Sequence, residues 1–162
     1  MNFKRLFSLA LLVLFTCTIK AKPDSTKIKK GRVLVVSSSL AAALGGSYLY
    51  VENAWWADKQ TNFSFDDGAD LTYALNVDKA GHFMGGLFAA NLFSGSMSWA
   101  GMNEKQSLWY GAAFGSGLQL AIEMKDAYAP YWGFSKWDLA LGSAGAFWPV
   151  AQYYNDDLKA IN

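Results

Sequence analysis

Cysteine is almost missing. The chain of 162 residues has one, Cys17. A single thiol cannot close an intrachain disulfide, so this is not a disulfide scaffold. Histidine is equally scarce: the only one is His82, and no standard metal motif such as H-E-x-x-H can be written. Charge is sparse, at 17% of residues, against about 25% in an ordinary soluble domain. The two signs nearly cancel, leaving +1. No basic field points to nucleic acid, and no nucleic-acid-binding signature is present. Sustained alternation of apolar and polar residues is absent, so nothing reads as a half-buried sheet. There is no low-complexity segment and no clear internal repeat.

What remains is apolar and aromatic. Residues of apolar type make up 52% and aromatics 16%, a balance that leans toward membrane proteins. The length suits one domain with a core of its own. Residues 1–21 read as a signal peptide. Lys4 and Arg5 form its charged start, "LFSLALLVLFTCTI" its apolar stretch, and Ala21 the small residue at the cleavage site. That stretch is short for a spanning helix. "LFTC" opens a second reading, a lipoprotein leader ending at Cys17, although Thr16 stands where Gly, Ala or Ser is usual. Either way the mature chain is expected outside the cytoplasm.

Residues 22–32, "KPDSTKIKKGR", form a basic linker. Runs free of charge then cover 33–51, 83–103, 106–122 and 139–155. Between the first two lies an acidic connection, 58–77, with turn chemistry at "DDG". Pro130 and Gly133 mark a loop before the last run. The pattern predicts four helices, at about 33–56, 78–102, 105–127 and 136–157, in a single helical domain over 33–162. Short connections make neighbours antiparallel. "GHFMGG", "GAAFGSG" and "GSAG" place small residues at spacings of three and four, which lets helices approach closely in a bilayer. Trp55, Trp56, Trp99, Trp109, Trp132, Trp137, Tyr153 and Tyr154 fall near predicted helix ends, as interfacial belts do. The expected fold is all-α: an antiparallel bundle of four apolar helices, membrane-embedded or membrane-associated. Membrane lipid is its expected partner, with an envelope protein or a second copy as further partners. Lys27, Lys29, Lys30 and Arg32 before the first run conflict with a cleaved leader in an ordinary inner-membrane protein.

The antiparallel order gathers the ionisable residues. Asp78, Lys79 and His82 begin the second helix, Glu123 and Asp126 end the third, and Asp138 begins the fourth. All six belong at one end of the bundle. Asp78 and His82 share a face at i,i+4, and Glu123 and Asp126 at i,i+3, with Gln119 one turn deeper. Ionisable groups at membrane depth are functional or paired. Three readings follow. His82, Glu123 and Asp126, with or without Asp138, could bind a divalent metal and activate water. Alternatively His82, oriented by Asp78, could act as a general acid or base without metal. In the third reading the cluster is structural. Asp78 and Asp138 then favour the helix dipoles, Ser135 and Asp138 form a capping box, and Lys79 neutralises Glu123 or Asp126.

The stretches "NAWWAD" (Asn53 to Asp58), "DKAGHF" (Asp78 to Phe83), E-x-x-D (Glu123 to Asp126) and "WGFSKWD" (Trp132 to Asp138) run across most of the mature chain. In this order and spacing the chain resembles the YfiM-like family of bacterial envelope proteins, which includes predicted lipoproteins. The family pattern has an Asn four residues after the last Asp, where this chain has Gly142. The resemblance implies an envelope location and no particular reaction. Taken together, the sequence predicts a structural or accessory envelope protein held together by its His-Lys-carboxylate cluster. The alternative is a hydrolase of a lipid-linked or phosphorylated envelope substrate, centred on His82, Glu123 and Asp126, with Lys79 holding the anion.

Overall fold

The computed structural model describes residues 27–68 and 71–161. The expected leader, Cys17 and the first part of the basic linker lie outside the described residues. Four α-helices follow one another: α1 (Lys30–Ala54), α2 (Val77–Trp99), α3 (Glu104–Asp126) and α4 (Lys136–Tyr154). Their bounds fall within a few residues of those predicted, because each charge-free run is closed by polar residues that stop it. Among the described residues the only extended pairing is an isolated bridge between Phe65 and Phe134. The start of α1 moves so that its first turn takes up Lys30 to Arg32 of the expected linker, and α2 and α4 end earlier than expected by the same margin.

Local signals explain the helix starts. The Asn103 side chain accepts the Gln106 N–H at 2.9 Å, with Glu104 in the first turn of α3 and Lys125 in its last. Both charges oppose the helix dipole favourably. At α4 the Ser135 hydroxyl accepts the Asp138 N–H at 3.1 Å. The entry to α2 is different. Leu75 and Asn76 take φ values of 54° and 62°, and this left-handed pair turns the acidic connection into the helix.

Helices α2, α3 and α4 pack on one another through small residues. A Cβ at Gly86 would overlap the Gly142 carbonyl, and one at Gly145 the Phe83 carbonyl. At Gly115 it would lie 2.9 Å from the Gly86 oxygen. The backbones themselves therefore touch, as small residues permit. The buried apolar residues of these helices are Ala89, Ala90, Ala112, Ala146 and Val150. Large apolar side chains point the other way: Met84, Leu92, Trp109, Tyr110, Leu120, Met124 and Phe147 are exposed.

The first helix is not an equal member of the expected bundle of four. No residue of α1 is buried, and a Cβ at Gly31, Gly45 or Gly46 would meet nothing within 4 Å. Its glycines make no close approach, so nothing draws it into the core. It is instead tethered at both ends. Lys29 N–H reaches the Ala100 carbonyl at 2.8 Å. Arg32 donates to the Trp99 carbonyl at 2.7 Å and lies over the Trp99 ring. At the far end Glu52 pairs with Lys125 at 2.7 Å. These ties set α1 antiparallel to α2. Among the described residues α1 is the one helix long and apolar enough, by length and composition, to cross a membrane.

The connection after α1 is strapped across the α3–α4 turn. Thr61 N–H bonds the Tyr128 carbonyl at 2.8 Å, Ser64 N–H the Ala127 carbonyl at 2.9 Å, and Phe134 N–H the Ser64 carbonyl at 2.9 Å. The Phe63 ring meets the rings of Phe65, Tyr128 and Phe134. Gly133 is required here, since a Cβ would stand 2.6 Å from the Asp66 nitrogen. This strap forms one wall of the site described next.

Candidate functional site

All six residues picked out in the sequence meet at the end of the bundle where α2 and α4 begin and α3 finishes. Glu123 is the largest fully buried side chain among the described residues, at 1% exposure. Its Oε2 accepts the Ser135 N–H at 2.8 Å, and its Oε1 lies 3.7 Å from His82 Nδ1. In an ordinary capping box the acid three residues into the helix would take the N-cap N–H. Here Glu123 takes it from a different helix, and the Asp138 carboxylate is released for another partner. That partner is Lys79, at 2.9 Å, with both side chains more than nine-tenths buried. Lys79 also lies 3.6 Å from Asp78. The expectation that Lys79 neutralises Glu123 or Asp126 is therefore replaced by a pair with Asp138, because Lys79 turns toward α4.

Asp126 accepts the Trp56 indole N–H at 2.6 Å. Trp56 is buried, unlike its neighbour Trp55, so it pins the strap rather than joining an aromatic belt. Lys125 sits over the Trp56 and Tyr48 rings as it pairs with Glu52.

His82 is held by an amide rather than by an acid. Its Nδ1 is 2.9 Å from Gln119 Oε1. With that carbonyl as acceptor, Nδ1 carries the proton and the neutral ring keeps its lone pair at Nε2. Nε2 stands 3.8 Å from Asp78 Oδ1 and 3.9 Å from Asp138 Oδ2, beyond hydrogen-bond range. Asp78 thus does not orient His82 by a direct bond, and Gln119 does. Gln119 also explains Gly142. A Cβ at that position would lie 2.6 Å from the Gln119 amide carbon, so the amide occupies the space that an Asn at 142 would need.

A cleft of about 660 Å³ opens over this end, walled by Trp55, Tyr131 and Trp132 and floored by Asp78, His82 and Asp126. Lys79 does not line it, which places its charge in the helix junction rather than at the cleft. The metal set expected from sequence, His82, Glu123 and Asp126, is not the one drawn together. Glu123 is engaged by Ser135 and Asp126 by Trp56. Among the described residues, the group offering ligand atoms within 4.8 Å of one another is Asp78, His82 and Asp138. Chemically the site can accept protons at His82 Nε2 or hold a cation between carboxylates. Sequence reasoning missed Trp56 and the Ser135 N–H as partners. The only available signal was the position of Trp56 just after a helix and of Ser135 at a cap.

Comparison with curated proteins and with solved structures found no match. A family model does match, over residues 65–154, more than half of the chain; it begins at the end of the strap and takes in α2, α3, α4 and all six cluster residues. The chain therefore belongs to the family described as predicted periplasmic lipoprotein (DUF2279).

Proposed function

We propose that this is an envelope membrane protein with a structural or accessory role, whose helices lie in the bilayer and whose polar network clamps one end of the bundle. The observation that carries the reading is the inversion of the core. Inside are Gly, Ala, Ser, Gln119, Glu123, Lys79 and Asp138, and outside are Leu, Met, Phe and Trp. Water favours the opposite arrangement, whereas a bilayer tolerates it. The mean composition of α2, α3 and α4 is lowered by what they bury, while lipid meets only their outward faces. After His82 no charge occurs in α2, none lies between Lys105 and Glu123, and none between Asp138 and Asp156. At 23 residues α2 and α3 are each about 34 Å long, close to the hydrocarbon thickness of about 30 Å. Family membership supports export to the envelope, and the four motifs support the closer kinship with YfiM-like members.

Alkaline carbonate extraction of cell membranes tests this, using the Cys17→Ser chain, which lacks the one residue that could carry a lipid. The chain is expected to stay with the membrane pellet. Release into the supernatant would make the apolar faces protein-binding surfaces instead.

The cleft favours a second reading, a hydrolase of a lipid-linked or phosphorylated substrate with His82 as general base. Its aromatic walls and the open Nε2 support it, and the burial of Lys79 against Asp138 weighs against Lys79 as the anion holder. His82→Ala separates the two. Loss of phenotype at unchanged protein level and unchanged stability belongs to the hydrolase, and loss in proportion to stability to the clamp.

A further inference from the structure

We propose that Asp78, His82 and Asp138 form a binding site for one divalent transition-metal ion at the floor of the cleft. The donor set is chemically apt: an imidazole and two carboxylates suit zinc, manganese or iron. The inference rests on how each donor is held. His82 Nδ1 is committed to Gln119 at 2.9 Å. Metal-binding imidazoles are fixed in the same way, through a hydrogen bond from the nitrogen that does not ligate. The other nitrogen, Nε2, makes no hydrogen bond among the described residues and faces Asp78 Oδ1 and Asp138 Oδ2 at 3.8 and 3.9 Å.

Lys79 supports the arrangement from behind. It approaches Asp138 through Oδ1 and Asp78 through Oδ2. The oxygens closest to His82 Nε2 are the other ones, Asp78 Oδ1 and Asp138 Oδ2. A purely structural triad would draw Nε2 to about 3 Å from an acceptor. The observed spacing is instead too wide for a hydrogen bond and slightly wide for ligands sharing a metal. Bonds of about 2.1 Å in a tetrahedral site set donors roughly 3.4 Å apart. Each His–Asp pair has to close by a few tenths of an ångström, and the two carboxylate oxygens, within 4.8 Å of the other donors, have to converge as well. Asp78, the partly exposed member, can move toward both partners, while the His82–Asp138 approach takes a small turn of the imidazole or of the Asp138 carboxylate. The remaining coordination positions face the cleft, where water or an oxygen-bearing ligand can enter.

This site does not depend on which functional reading holds, since a clamp or a hydrolase could each carry it. The test uses the full chain in detergent micelles, stripped with chelator and titrated with zinc or manganese alone. Saturable binding of a single equivalent is expected, weakened at least about tenfold by Asp78→Asn and by His82→Gln, while Asp126→Asn retains it. Asp78→Asn is the decisive variant, because a partly exposed side chain can change without unfolding the bundle, as helix content by circular dichroism will verify. No saturable binding to folded wild type in millimolar excess overturns the proposal. So does undiminished affinity in Asp78→Asn, or loss in Asp126→Asn alone, which would shift the ion to the Asp126 side.

Discussion

Glu123, near the end of α3, accepts the backbone N–H of Ser135, the residue that caps α4, at 2.8 Å. One side chain thereby finishes one helix and starts the next. It also releases Asp138 from its usual capping duty, so that Asp138 can meet Lys79 of α2 at 2.9 Å. The three helices are tied at this end by a relay of partners rather than by apolar packing.

Removing the acceptor should therefore cost more than removing the charge. Glu123→Ala leaves a buried N–H without a partner and a cavity beside it, and should destabilise by at least about 2 kcal/mol. Glu123→Gln keeps an oxygen at the same position and should cost about 1 kcal/mol or less. Chemical denaturation in detergent, followed by tryptophan fluorescence, measures both. Equal losses would mean that the charge, not the hydrogen bond, holds Glu123 in place.

The Lys79–Asp138 pair makes a different prediction. Lys79→Met strands a buried carboxylate and should cost about 3–5 kcal/mol. Adding Asp138→Leu removes the stranded charge and should recover a large part of that loss. A double-mutant cycle on the denaturation midpoints gives the coupling directly. Additive losses would show that the two side chains act independently.

Backbone contact between helices predicts steep glycine dependence at selected positions. Gly145→Ala drives a methyl into the Phe83 carbonyl and should cost about 1–3 kcal/mol or more. Gly117→Ala, with nothing within 4 Å of the added carbon, should instead stabilise by up to about 1 kcal/mol. Thermal melts of the two variants in one detergent compare them. A loss at Gly117 as large as at Gly145 would remove the close approach as the cause.

These residues also mark how far the sequence could be read. The helices were legible because charge-free runs end in polar residues, and the Ser135 cap was legible from its spacing to Asp138. That Asp78, His82, Glu123 and Asp138 share one end followed from antiparallel order alone. Partner choice was not legible. Whether Lys79 reaches Asp138 or Glu123 depends on helix rotation, which is set by backbone contacts at Gly86, Gly142 and Gly145 between distant segments. The Trp56–Asp126 bond depends on how the strap crosses the α3–α4 turn, which no local pattern encodes. The looser position of α1 was hidden because its composition resembles that of the packed helices. It shows only in the fold, where no residue of α1 is buried and none of its three glycines approaches a neighbour.

The most direct measurement asks what surrounds the outward faces of α3 and α4. Ala113→Cys and Ala144→Cys place a thiol at exposed positions in the middle of these helices, and Asn62→Cys places one in the exposed strap. A charged, membrane-impermeant maleimide is applied to native membranes and again after detergent, with the wild-type chain setting the background from Cys17. If the bundle lies in the bilayer, Ala113→Cys and Ala144→Cys label only after a detergent solubilises the membrane and the reagent can reach them, while Asn62→Cys labels whenever its side of the membrane is open to reagent. Ready labelling of both helix positions in opened but undissolved membranes would contradict the embedded bundle.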